Sequence, residues 1–226
     1  MPDLQFLSIL GLGFLLGARH AFDADHLVAV STLLSRRPDL KASGFIGMCW
    51  GIGHTTTLLL VGCAVLVLKL SIPDTVAHAF EQGVGVMLIA LGAGLAVTLY
   101  REQWHLHAHT HDGSLHVHLH SHHQRDDHAH GHGWRYVFQP LAVGMVHGLA
   151  GSAALMLLVL SASRTLWEGL AFILLFGIGS IVGMVVVGTL ISLPLMFSFS
   201  RGRSINLAVR GLASVGSLGF GIAILF

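Results

Sequence analysis

Charge is scarce in this chain. Lys and Arg number 12 and Asp and Glu 11 in 226 residues, so charged side chains make up 10% of it. Soluble globular domains carry about 25%. Glutamate is rarest, present only as Glu81, Glu102 and Glu168. A soluble domain this poor in charge would lack the polar skin that keeps it in water, which excludes a soluble enzyme. A disordered protein is excluded by the same composition read the other way, since disorder requires low hydrophobicity. The formal net charge of +1 supplies no field for a polyanion, so no nucleic-acid partner is expected. Cysteine is almost absent. Cys49 and Cys63 cannot make a disulfide framework. On one helix they stand roughly 21 Å apart along its axis, too far to bridge or to share an ion. They read as packing residues. No H-E-x-x-H and no P-loop occurs, so neither a zinc protease of that type nor nucleotide hydrolysis through such a loop is supported. Basic residues are also missing from the start. The first is Arg19, already inside an apolar run, so residues 1–20 are not expected to be a cleaved signal peptide.

What is present is apolar surface. Hydrophobic residues make up 54% of the chain and the mean hydropathy is +0.75. Six nearly charge-free stretches predict an all-α polytopic membrane protein with six transmembrane helices, at roughly 4–34, 43–68, 77–100, 136–162, 166–197 and 204–226. The first is long and holds Arg19, His20, Asp23, Asp25 and His26. It is expected to tilt, break or run past the bilayer. Pro140 and Pro194 should start or kink the fourth and fifth spans. Arg36, Arg37, Lys41, Arg101, Arg125, Arg135, Arg201 and Arg203 fall on one side, and Lys69 and Arg164 on the other. The first side is therefore expected to be cytoplasmic, with both termini outside.

The halves resemble one another. The stretch from Gly17 matches that from Gly144, pairing His20 with His147 and Asp25 with Ser152. The stretch from Trp50 matches that from Phe176, pairing His54 with Ser180. Leu91 onward matches Leu218 onward. The offsets are 127, 126 and 127. Each half has an odd number of spans, so the two are expected to be inverted repeats, residues 1–100 and 135–226, joined by a polar segment at 101–134. Inverted repeats are a transporter device with the substrate site at the midplane. The glycine pairs Gly13/Gly17, Gly47/Gly51, Gly144/Gly148 and Gly179/Gly183 have the spacing that lets helices approach closely.

Histidine is the unusual abundance, 17 in all. Ionisable groups inside a membrane span are costly and usually functional. On an unbroken helix Arg19, His20, Asp23 and His26 share an arc of about 120° and Asp25 points away, so Asp25 has a separate role or the helix unwinds. Arg19 pairing with Asp23 is the plain structural alternative. His54 lies mid-span and His147 opens the second half as His20 opens the first. Such N and O donors suit nickel, cobalt, zinc or copper(II) rather than magnesium or calcium. Thr55, Ser152 and Ser180 are candidate supporting or gating hydroxyls, although such groups in membrane helices more often bond backbone carbonyls. Twelve histidines fall in 101–134: His105, His107, His109, His111, His116, His118, His120, His122, His123, His128, His130 and His132. This tract is expected to be disordered, cytoplasmic and a loose collector of divalent metal, with a solvated linker or a pH sensor as alternatives.

The run RHAFDADH at Arg19–His26 resembles the signature of the nickel/cobalt transporter family of NicO type. That family carries His-x4-Asp-His in a transmembrane helix, here His20, Asp25 and His26. GHTTT at Gly53–Thr57 is similar to the histidine stretch of its next helix. VHGLAGSAALMLL at Val146–Leu158 resembles the second-half motif of its compact six-span branch, which includes nickel permeases encoded with urease accessory genes. The resemblance implies a non-enzymatic permease of a prokaryotic inner membrane. It implies Ni(II) or Co(II) as transported substrate, no cofactor, and His20, Asp25, His26 and His54 as metal contacts, to which the repeat adds His147. The Asp-Ala-Asp-His form favours uptake. A cytoplasmic metallochaperone is a candidate partner. Three other readings stay open on the residues: a metal exporter, a membrane metal sensor or chaperone without flux, and a thiol-shuttling redox carrier built on Cys49 and Cys63.

Overall fold

The computed structural model describes residues 4–35, 39–70, 72–103, 106–111, 114–119, 133–163 and 165–226. The described residues form helices α1 (Leu4–His20), α2 (Ala24–Leu34), α3 (Leu40–Leu68) and α4 (Asp74–Gln103), strands β1 (Leu106–His111) and β2 (Ser114–Leu119), and helices α5 (Gly133–Ala162), α6 (Leu166–Ser200) and α7 (Arg203–Leu225). The all-α membrane-type class is as expected. The long first stretch is broken, into α1 and α2. By length and composition α3, α4, α6 and α7 can each cross a bilayer, whereas α1, α2 and the apolar part of α5 at 137–151 are shorter.

Local chemistry sets the ends. Asp39 caps α3 by accepting from the Ala42 N–H at 2.9 Å. Thr165 caps α6 by accepting from the Glu168 N–H at 3.2 Å. Both satisfy N–H groups that a helix start leaves orphaned. Lys69 ends α3 at φ 53°, and the Leu70 N–H reaches back to the Val65 carbonyl. Gly202 joins α6 to α7 at φ 104°, a conformation that favours glycine. Pro140 and Pro194 lie inside α5 and α6. β1 and β2 pair antiparallel with His107 opposite His118 and His109 opposite His116.

Helix α3 packs against both α5 and α6, α1 against α6, and α4 against α7. Several crossings are too close for any side chain. A Cβ on Gly17 would run into the Phe176 carbonyl, on Gly53 into that of Leu141, on Gly144 into that of Trp50 and on Gly179 into that of Phe14. A Cβ on Gly51 would meet Ile181, and one on Gly177 would meet Thr55. Hydroxyls fasten the same pairs. Thr55 Oγ1 donates to the Gly177 carbonyl at 3.1 Å, Ser214 Oγ to Gly92 at 2.8 Å and Ser217 Oγ to Leu88 at 2.7 Å. Between lipid-facing helices, tight packing and such bonds replace the hydrophobic drive. The outer surface is apolar in stripes. On α6, Leu174, Ile178, Val182, Val186, Leu190, Leu193 and Phe197 are all exposed, the pattern of a helix facing acyl chains.

Two apolar clusters fill the interior. One gathers Ala21, Val30, Leu34, Ile46, Trp50, Val143 and Met184, and the other Leu58, Val65, Leu155, Val159, Phe172 and Phe176. His54 lies on α3 between Trp50 and Leu58, at the seam between them. The α4–α7 pair also holds a charge: Arg210, 4% exposed, makes a two-pronged ion pair with Glu102 at 2.6 and 2.9 Å.

Replacing Gly144 by leucine should force α5 off the Trp50 backbone and cost about 1–3 kcal/mol. Thermal unfolding of purified protein in detergent measures it, and an unchanged midpoint would contradict the contact.

Candidate metal centre

The break between α1 and α2 builds the centre. After His20 the chain turns, with the Phe22 N–H bonded to the Arg19 carbonyl at 2.9 Å and the Asp23 N–H to that of His20 at 3.0 Å. Asp23 is extended (φ −64°, ψ 148°) and α2 restarts at Ala24 with Asp25 in its first turn. A helix start favours a carboxylate there. Ala21 is fully buried and lies against Gly183 of α6, which seats the turn in the bundle. The break resolves the helical-wheel conflict: freed from the phase of α1, Asp25 reaches the cluster together with His26.

Four imidazoles from three parts of the chain meet here. The rings of His20 and His26 lie 4.7 Å apart, His20 and His54 5.2 Å, His26 and His54 5.6 Å, and His26 and His147 4.7 Å. His26, His54 and His147 are buried. Candidate ligand atoms of His20, His26 and His54 all lie within 4.8 Å of one another, as do those of Asp25, His26 and His147. All five residues expected at a metal site are thus brought together.

The hydrogen bonds decide which nitrogens are free. His20 Nδ1–H donates to Asp23 Oδ2 at 2.7 Å. His147 Nδ1–H donates to the Val143 carbonyl at 3.2 Å, since a carbonyl can only accept. His26 Nδ1 lies 3.1 Å from Asp25 Oδ1. These bonds fix tautomers, and a carboxylate or carbonyl on one ring nitrogen orients the other for a metal. Four buried ring nitrogens, His26 Nε2, His54 Nδ1, His54 Nε2 and His147 Nε2, find no hydrogen-bond partner among the described residues. Native proteins seldom leave such groups unsatisfied. His147 Nε2 is also 3.6 Å from Asp25 Oδ2. With Nδ1 carrying the proton, both atoms present lone pairs, an arrangement that a cation between them would stabilise. The donor chemistry fits a borderline transition-metal ion.

The other expected residues take varied places. Asp23 holds His20 rather than Arg19. Arg19 lines a cavity of ≈ 400 Å³ with Leu16, His20, Asp23, His54, Leu58, Gly151, Leu155 and Phe176. Thr55 is committed to the Gly177 carbonyl, and Ser180 is buried without a partner among the described residues. The side chain of Ser152 lies outside the described residues. In the histidine tract, His107, His109, His111, His116 and His118 stand on β1 and β2. His105, His120, His122, His123, His128, His130 and His132 lie outside the described residues. Cys49 is buried and Cys63 exposed, both as free thiols on α3.

The residue reading missed the aromatic walls. Trp50 lies over His26 and His147 at 5.8 and 5.1 Å, and Phe176 over His20 at 5.6 Å. The signal was available, because these two residues head the matched stretches of the two halves. The cavity-lining residues Leu16, Leu58, Leu155 and Phe176 all lie on one side of the histidines, toward the start of α1 and the α3–α4 and α5–α6 connections. Trp50, Ile46, Val143 and Met184 close the other side.

A family model described as "High-affinity nickel-transport protein" (NicO) matches residues 6–208. The chain is 37% identical over 206 residues to "Urease accessory protein UreH" of Bacillus sp. (strain TB-90), spanning 91% of this chain and 86% of that protein. It is 25% and 26% identical to "Chloroplast protein FOR GROWTH AND FERTILITY 2" and "Chloroplast protein FOR GROWTH AND FERTILITY 1" of Arabidopsis thaliana. Those matches span 80% and 76% of this chain but 46% of each plant protein, so the chain covers under half their length. No solved structure matches the chain.

Asp23→Asn removes the carboxylate that orients His20 and should weaken metal binding about 10–100-fold. Titration of purified protein with nickel checks this, and wild-type affinity would show that Asp23 does not orient a ligand.

Proposed function

The chain belongs to the NicO family of high-affinity nickel-transport proteins, and from that premise we propose how it carries nickel. The route is uptake across a prokaryotic inner membrane through one alternating-access centre made by His20, Asp25, His26, His54 and His147. Cobalt(II) is accepted as a second substrate. The observation that carries the reading is the convergence of unpartnered buried imidazole nitrogens with one carboxylate at a helix break. Nothing in an apolar bundle is gained by such a cluster unless a cation completes it.

The six-span, inverted-repeat architecture is part of the proposal. Exchanging α1 with α5, α3 with α6 and α4 with α7 maps the main packing pairs onto themselves. The glycine contacts obey the same exchange. Gly17 on Phe176 corresponds to Gly144 on Trp50, Gly53 on Leu141 to Gly179 on Phe14, and Gly51 on Ile181 to Gly177 on Thr55. These correspondences support two copies of one packing unit. With the arginine-rich connections in the cytoplasm, both termini are outside and the cavity opens outward. The resemblance at Asp23–His26 supports uptake. The histidine tract collects metal on the cytoplasmic side, where a metallochaperone would receive it.

Asp25 offsets part of the charge of a dehydrated divalent ion. The imidazoles bind only when neutral, so metal binding and proton release are linked. Protons compete with the metal for the same ring nitrogens, so acidification favours release of the ion.

Two outcomes are expected in proteoliposomes containing purified protein. Wild type should take up nickel, more slowly as the medium is acidified, and Asp25→Asn should abolish uptake. Persistent flux in a folded Asp25→Asn protein would remove Asp25 from the centre. Deleting 105–132 should lower the rate or shift its metal threshold without abolishing flux, and complete loss in a folded deletion protein would contradict the collector role.

A further inference from the structure

We propose that the centre consists of two metal subsites in series sharing His26: an outer one of His20, His26 and His54, and an inner one of Asp25, His26 and His147. This rests on the reading that the chain carries nickel, and it concerns how the ion crosses the centre.

The geometry divides the five residues rather than pooling them. Two groups have ligand atoms within 4.8 Å of one another, and His26 belongs to both. The His26 ring meets His20, His54 and His147, whereas among the described residues no ring contact joins His147 to His20 or His54. His26 therefore stands between the two groups. Its two nitrogens differ: Nδ1 lies on Asp25 at 3.1 Å, and Nε2 is buried and unpartnered. His20 and His54 line the cavity, while His26 and His147 lie behind it under the Trp50 ring.

The chemistry of the groups differs in the same sense. The outer group offers three imidazoles, with Asp23 held on His20 Nδ1, and the inner one includes a carboxylate among its candidate ligands. An ion crossing from outer to inner exchanges His20 and His54 for Asp25 and His147 while keeping His26. It is never stripped of all protein ligands, and it gains an anionic ligand as it moves away from the cavity. Trp50 backs the inner group and Phe176 overlies His20 of the outer one, so each subsite has its own aromatic wall.

The test uses full-length protein with the twelve tract histidines changed to serine, and nickel(II) alone as probe. X-ray absorption on the protein loaded with substoichiometric nickel should show a shell of three imidazoles. His54→Ala should lose nickel binding. His147→Ala should still bind nickel, through the outer three imidazoles, and lose flux in proteoliposomes. A shell of four imidazoles with a carboxylate, or equal loss of binding in the two variants, would overturn the proposal in favour of one five-ligand site. Binding lost in His147→Ala and kept in His54→Ala would overturn the assignment of the outer group as the first to load. If His147→Ala fails to fold, the absorption measurement still decides between one site and two. An unsubstituted protein that binds nickel but moves none would defeat the transport reading, and with it the order of the subsites, whereas the shell would still distinguish a three-residue site from a five-ligand one.

Discussion

A polar group taken out of water and left without a partner costs about 1–3 kcal/mol. His26, His54 and His147 carry four such ring nitrogens within one cluster. A bundle selected for stability alone would place leucine at these positions. Keeping the imidazoles makes the folded chain a good receptor for a cation, because an ion that binds only the folded state adds its binding energy to stability. The rest of the structure follows from holding this cluster dry yet reachable. The rings must come from three parts of the chain, the backbones carrying them must lie close, and one side must open.

Closeness explains the glycines. His54 sits one residue after Gly53, whose Cα leaves no room for a side chain against α5. His147 sits between Gly144 and Gly148, which lie against the Trp50 and His54 backbones. The contacts that let helices touch are interleaved with these histidines, so ring distances are set by backbone packing rather than by flexible side chains. Opening explains the break after His20. A continuous helix would turn Asp25 away from the other groups. Restarting at Ala24 brings Asp25 into the cluster while leaving His20 and Asp23 on the cavity.

Much of this was legible in the residues. Charge in an apolar segment marked His20–His26 as the centre, and the repeat led from His20 to His147 across the chain. The helical wheel even exposed the conflict over Asp25 that the break removes. What could not be read was partnership. Asp23 had His20 and Arg19 within reach in sequence, and only the turn geometry selects His20. Trp50 and Phe176 look like ordinary packing residues until the rings beneath them are seen. Arg210 and Glu102 are 108 residues apart, and no local pattern joins them. Tertiary proximity of this kind has no period in the sequence.

On the proposed inverted-repeat reading, the two halves share a packing pattern but not a chemistry, and the difference bears on how an ion leaves. His20 and His147 correspond, yet Asp25 corresponds to Ser152 and His54 to Ser180. Equivalent packing in both halves would let the bundle adopt two related arrangements, the requirement for alternating access. Equivalent ligands would add a second carboxylate and more imidazoles, and hold a divalent ion too firmly to release. Asp25 is the one carboxylate among the five candidate ligands, and on the cavity wall the opposite charges of Arg19 and Asp23 stand together. Conduction needs binding strong enough to load and weak enough to unload. On that reading, serine at the sequence position that matches Asp25 limits the depth of the trap.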